Sequence, residues 1–204
     1  MTVSFMGTWE PNRCQTPAAT ATPAYGILHG LRQESAVAMR HIIAILLENE
    51  AGALSRVAGL FSTRGYNIES LSVAPTDDPT VSRITLVTKG SDAVIQQIVN
   101  HLNKLIDVVS VEDMTLGEHL ERELVLLKLK VRPEHTDGIR GYVVRTGGRV
   151  LDPAFDCFIV ELTASEAEIN AFVSELGSRA ELTEVVRSGA LGIARSVRTL
   201  QAVT

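Results

Sequence analysis

From Arg40 onward apolar residues recur at regular intervals, whereas residues 1–38 are rich in Ala, Thr and Pro and hold no sustained period. That opening stretch, with Pro11, Pro17 and Pro23, is read as a flexible tail. Met39 stands directly before the first patterned segment and is a candidate start of translation, which would make the tail an upstream extension. Ile42-Ile43-Ala44-Ile45-Leu46-Leu47 is short, apolar throughout and β-branched, the pattern of a central strand buried on both faces. Leu54, Val57, Ala58 and Phe61 then fall at i, i+3, i+4, i+7, an amphipathic helix closed by Gly65, which suits a left-handed C-cap. Tyr66 to Ala74 and Val81 to Thr88 read as a β-hairpin around the turn Pro75-Thr76-Asp77-Asp78-Pro79. Ser91 caps a second helix whose stripe is Val94, Ile95, Ile98, Val99, Leu102 and Leu105, and Val108 to Met114 supplies a last strand. The order is β-α-β-β-α-β.

Residues 116–122 are short, polar and patternless, which suits a linker. A second round follows. Leu124 to Val131 reads as a strand, and Ile139, Tyr142 and Val143 form a weak helical stripe diluted by Gly138 and Gly141. Arg149 to Leu151 and Phe158 to Leu162 flank a turn containing Pro153. Ser165 and Glu168 form a capping box for a helix with the stripe Ile169, Phe172, Val173 and Leu176, which Gly177 is expected to end; Glu184 to Arg187 closes the unit.

The fold class that follows is α+β: two split β-α-β, ferredoxin-like sandwiches in tandem, residues 39–115 and 123–195, with a short tail at 196–204. The first and third strands of each are expected at the centre of the sheet and the second and fourth at the edges. In the first unit the fourth strand carries Glu112 and Asp113, with Asp107 just before it, charges that discourage edge pairing. The second strand carries only Glu69, so it is the expected dimer edge.

Composition narrows the function. Against 24 Asp and Glu the chain has 19 Lys and Arg, a net charge of −5, and its pI is near 5.6. It lacks the basic field that draws a protein to nucleic acid. Its longest apolar run, Ile42 to Leu47, falls far short of the ~20 residues needed to span a bilayer. Cys14 and Cys157 have no neighbour at metal-ligand or redox spacing, and no apolar export signal is visible, which together point to the cytoplasm. None of the phosphate-cradling, dinucleotide, zinc-protease or serine-nucleophile motifs is present. His29, His41, His101, His119 and His135 are scattered without i, i+4 pairing. Asp77-Asp78 suits a turn better than a cation, and Cys157 beside Phe158 suits a small buried hydrophobe.

One junction carries chemistry. In Leu47-Glu48-Asn49-Glu50-Ala51-Gly52-Ala53-Leu54 a buried strand delivers the chain to a helix start, whose unpaired N–H groups and partial positive charge bind carboxylates. Gly52 has no side chain to keep a ligand from the backbone. The same residues also suit an ordinary tight β-α turn.

Leu46 to Val57, then Phe61-Ser62-Thr63-Arg64-Gly65-Tyr66-Asn67-Ile68-Glu69-Ser70-Leu71, then Ala74 to Pro79 and Ser82-Arg83, resemble the regulatory small subunit of acetolactate synthase. Val185-Val186-Arg187-Ser188-Gly189 resembles the family's second domain. The resemblance spans about residues 39–195 and implies that the first unit is an amino-acid-binding ACT domain. It implies a non-catalytic chain that activates a large catalytic subunit and confers feedback inhibition by valine in branched-chain amino acid synthesis. It places thiamine diphosphate, FAD and magnesium in that catalytic subunit and no cofactor or metal in this chain. It further implies a homodimer through the ACT domains. Asn49, Gly52, Ala53 and Leu54 would hold the effector carboxylate end, and the partner's Asn67 and Ile68 would close the pocket. Asp77, Asp78 and Arg83, around an exposed loop, are candidate contacts with the catalytic subunit. Two rivals stand beside this expectation: a free-standing amino-acid sensor acting on another enzyme or on transcription, and a small enzyme using the interface cleft. No acid, base and nucleophile set at plausible spacing supports the latter.

Overall fold

A computed structural model of the chain describes residues 39–195 and Leu200. The expected tails, 1–38 and 196–204, lie outside the described residues apart from Leu200. The chain is α+β, with two antiparallel sheets and the tandem element order read above.

The first half runs β1 (Met39–Glu48), α1 (Ala53–Arg64), β2 (Ser70–Pro75), β3 (Val81–Gly90), α2 (Asp92–Leu102) and β4 (Val108–Asp113). Its sheet order is β2-β3-β1-β4, so the first and third strands are central, as expected. On one face Ile43, Ile45 and Leu47 meet Val57 and Phe61 of α1, Ile84 and Leu86 of β3, and Ile95, Ile98 and Leu102 of α2. The hairpin strand starts at Ser70, not at Tyr66. Tyr66 instead completes the end of α1: its N–H bonds to the Phe61 carbonyl (3.0 Å) and its ring meets Phe61 edge-on at 6.1 Å. Gly65, at φ 71°, is the left-handed cap.

The second half runs β5 (His119–Lys130), α3 (Thr136–Arg145), β6 (Arg149–Ala154), β7 (Cys157–Ala164), α4 (Glu166–Arg179), β8 (Glu181–Arg187) and β9 (Leu191–Ala194). Its main sheet is ordered β6-β7-β5-β8, around a core of Val125, Leu127, Leu129, Phe158, Val160, Ile169, Phe172 and Leu176. The capping box of Ser165 and Glu168 forms. Two turn signals resolve differently from expectation. Gly177 lies inside α4, which continues to Arg179. The cost of a helical glycine, about 1 kcal/mol, is offset by buried Leu176, by the Arg179–Glu175 ion pair and by Arg179 stacking 5.1 Å from the Tyr142 ring. Pro153 lies in β6 opposite Phe158, and the turn falls after it, at Phe155 and Asp156. Its missing N–H is tolerated because β6 is an edge strand.

The expected linker is mostly strand. After a single 3-10 turn (Met114–Leu116), β5 begins at His119, and His119–Arg122 pair with Leu191–Ala194. Glu123 and the residues after it join β7 and β8 instead. The ribbon of β5 and β9 lies on the helix-free face of the first sheet. There Ile42, Ala44 and Val87 are buried with Met114 and Ala190. Gly192 approaches so closely that an added Cβ would meet Met114 Sδ at 3.1 Å. This cover is why β1 is buried on both faces.

Candidate effector site

The strand-to-helix junction is built by three neighbours. Glu48 N–H bonds to the Asp107 carbonyl (2.9 Å) before β4, and Asn49 N–H bonds to the Thr80 carbonyl (2.7 Å) before β3. Asn49 is exposed, and its Nδ2 donates to the Pro79 carbonyl (3.0 Å), which leaves its Oδ1 available as an acceptor. Gly52 sits at φ 89°, ψ −12°, the left-handed region, and forms the N-cap of α1. No side chain caps this helix and no carboxylate occupies its first turn. The partial positive charge of its N-terminus is therefore uncompensated by the chain's own acids there. Ala53 is buried, while Gly52 and Leu54 are exposed, so the junction offers backbone and a small apolar wall to the outside.

Arg56, one turn into α1, reaches back to nearly buried Asp107. Its Nη2 lies 2.5 Å from Oδ1, and its Nε pairs with Oδ2. Those hydrogen bonds hold the Asp107 carboxyl below the usual aspartate range and raise the Arg56 guanidinium. Sequence reasoning missed this pair. Its members lie 51 positions apart, and no spacing rule links a helical arginine to an aspartate before the last strand.

Asn67 and Ile68 lie elsewhere in the same chain. The Asn67 carbonyl accepts Thr88 Oγ1 (2.6 Å), and Thr88 stands opposite His41 near the start of β1. The junction follows Glu48, seven residues farther along β1, so the two groups are separated by roughly 24 Å of strand. Asn67 is exposed, and Ile68 is half-buried against the helical core. Asp77 and Asp78 are exposed in the hairpin turn, where Asp78 Oδ1 accepts from Thr80 N–H (2.9 Å) and Oγ1 (2.7 Å). These bonds hold the Asp78 carboxyl below its ordinary range. Arg83 is not in that turn. It lies on the face of β3 under the ribbon and donates to the Gly192 carbonyl (2.9 Å).

The first half is a split β-α-β sandwich whose first helix starts at a left-handed glycine without a side-chain cap, and similarity to known families places it in the class of ACT-type domains, followed by a second sandwich of the same order. Residues 43–110 match the model described as an AHAS small subunit-like ACT domain. Residues 122–196 match the one described as the small subunit of acetolactate synthase. The chain is 43% identical over 163 residues to the acetolactate synthase isozyme 3 small subunit of Escherichia coli K12, covering 80% of this chain and 100% of that protein. It is 42% identical to the acetolactate synthase small subunit of Haemophilus influenzae, covering 79% and 99%. The crystal structure of the acetolactate synthase small subunit from Thermotoga maritima superposes with a TM-score of 0.71 at 30% identity, over 78% of this chain and 98% of that one. The chain belongs to the acetolactate synthase small subunit family.

Proposed function

We propose that this chain is the regulatory, non-catalytic subunit of acetolactate synthase, and that it activates the large catalytic subunit and makes it subject to feedback inhibition by valine. On this reading the reaction joining two 2-oxoacids, with its thiamine diphosphate, FAD and magnesium, belongs wholly to the catalytic chain, and both work in the cytoplasm. Family membership supports the pairing with a catalytic subunit. The observation that carries the effector site is the α1 N-terminus, which has no side-chain cap and no acid in its first turn and is approached through Gly52; its Ala53 N–H bonds to the Glu50 carbonyl (3.2 Å), so the donors left for a ligand are those of the following residues.

Valine is a zwitterion with a short branched side chain. The α1 N–H groups suit its carboxylate, the free Asn49 Oδ1 suits its ammonium, and Leu54 offers an apolar wall. A single copy leaves this niche open, and Asn67 and Ile68 are at the far end of the sheet. β2 is an edge strand with Val73, Ala74 and Pro75 exposed. If two copies pair along β2 about a two-fold axis, the strands run antiparallel. The start of one β2 then lies beside the end of the other, near the partner's junction. Asn67 and Ile68 of one copy thereby close the niche of the other, giving two equivalent sites per dimer. Discrimination by such a pocket is modest, because a methylene is worth about 1–3 kcal/mol, so isoleucine and leucine inhibit more weakly. The exposed Asp77–Asp78 turn is the surface we assign to the catalytic subunit, whereas Arg83 is occupied by the Gly192 carbonyl.

Titrating valine into the full-length protein, with sedimentation to fix its mass, tests the reading. A dimer binding one valine per chain is expected, and Asn67→Ala should weaken valine inhibition of the holoenzyme while leaving activation intact. A monomer indifferent to branched-chain amino acids would sink it.

A further inference from the structure

Two residues beyond Ile68, at the start of β2, Ser70 touches the second half of the chain. Its Oγ accepts a hydrogen bond from Ala190 N–H (3.1 Å). Gly189, at φ 75°, lies so near that a Cβ added there would stand 2.7 Å from that Oγ. The segment bearing these two residues is fastened on both sides. Before it, Arg187 grips nearly buried Glu123 through two bonds of 2.9 Å and reaches Asn170 Oδ1 at 2.9 Å. After it, β9 pairs with β5 and Gly192 receives Arg83. Residues 187–194 therefore form a strap running from the second sheet onto the first.

Beside the Ser70 contact is a cleft of about 300 Å³ whose lining includes Arg40, Glu69, Glu123, Glu166 and Arg187. Its arginines are already paired: Arg40 with Glu121 (Nη1 to Oε2, 3.0 Å) and with Glu166 (2.8 Å), and Arg187 with Glu123. The cleft is thus a set of ionic clasps, without a free cation for an anionic ligand. Its lining also includes Leu71, Val87 and Ala190, and the last two belong to the apolar cluster beneath the ribbon, so a shift of the strap is felt directly by that cluster.

We infer that Ser70 is the positioning residue through which occupancy of the effector site at Asn67 and Ile68 reaches the second half of the chain, by way of its hydrogen bond to Ala190 and the strap. The inference rests on the effector site proposed above. Residues 67–70 form a short connection that bends at Glu69 into β2, held to β3 by Thr88 Oγ1 donating to the Asn67 carbonyl and by Glu69 N–H donating to the Val87 carbonyl (2.8 Å). A ligand that draws Asn67 and Ile68 toward a partner copy moves Ser70 with them. The ligand favours whichever placement of the strap it binds more tightly, and that preference is what the catalytic subunit senses.

The test uses full-length small subunit, wild type and variant, with valine binding measured by calorimetry and inhibition measured in the reconstituted holoenzyme. Ser70→Ala is expected to bind valine within about threefold of wild type and to activate the catalytic subunit fully, while maximal inhibition at saturating valine falls by at least half; couplings between sites are typically 5- to 150-fold. Ser70→Thr, which keeps the hydroxyl, should restore inhibition. Gly189→Ala, which drives a methyl toward the same Oγ, should give the same split between binding and inhibition. Undiminished inhibition in Ser70→Ala overturns the inference and leaves the effector site standing, as does a loss of valine binding confined to that variant. Absence of valine binding in the wild type would remove the site and the inference together.

Discussion

Two glycines of the first half share a backbone conformation but not a role, and the pair separates fold from ligand binding. Gly52 and Gly65 have φ of 89° and 71° and begin and end the same helix. Replacing either by alanine forces an L side chain into the left-handed region, at about 1–2 kcal/mol. Space adds little at either position. A Cβ on Gly52 would lie 3.2 Å from Arg56 Nη1, the mobile end of a long side chain, and one on Gly65 meets nothing within 4 Å. Both variants should therefore lose roughly 1–2 kcal/mol, which for a chain of this size lowers the melting temperature by about 2–8 °C. Their response to valine should differ. At Gly52 the methyl stands where the effector must approach the helix N–H groups, and overfilling a fitted site costs about 1–3 kcal/mol, or roughly 5- to 150-fold in affinity. Calorimetric melting of both variants, beside valine inhibition of the reconstituted holoenzyme, reads the two effects separately. Gly65→Ala keeps wild-type inhibition, and Gly52→Ala loses it. Equal valine sensitivity in the two variants would refute the placement of the carboxylate at Gly52.

Three further outcomes follow from the packing. Phe158→Ala empties a fully buried position of the second core and should cost about 3–5 kcal/mol, read by urea titration, with the first half's valine binding the less affected function. Ser165→Ala removes the hydroxyl that accepts the Glu168 N–H at the start of α4 and should cost about 1 kcal/mol, again by denaturant midpoint. Acid should loosen the effector junction, because Arg56 holds the folded Asp107 carboxyl below its unfolded value. A depressed carboxylate contributes stability that is complete above the ordinary aspartate value, about 3.9, and is lost as pH falls through the lower folded value. Asp107→Asn should flatten that part of the acid unfolding curve.

Much of the architecture was legible because hydrophobic period and capping chemistry agree in most elements. Ile42 to Leu47 announces a doubly buried strand, and Ser165 with Glu168 announces a helix start. Legibility fails where a residue's local preference is overruled at a distance. Gly177 reads as a stop, but buried Leu176 and the Arg179 contacts carry α4 past it. His119 to Arg122 reads as polar linker because the strand that pairs with it begins at Leu191, far beyond any window of periodicity. At the candidate site Gly52 and Asn49 were visible as helix-start chemistry. The Arg56–Asp107 and Ser70–Ala190 contacts were not, since each joins residues whose types and spacing say nothing alone.

The continuous strand β5 makes the chain hard to divide. A fragment stopped at residue 116 would retain every helix and strand of the effector half yet leave Ile42, Ala44 and Val87 without the ribbon that roofs them. Such a fragment should be sticky and prone to self-association. Anyone wishing to isolate the valine sensor by dissection should graft residues 119–122 and 190–194 back as a minimal lid, because the seam between the two sandwiches does not coincide with any single peptide bond.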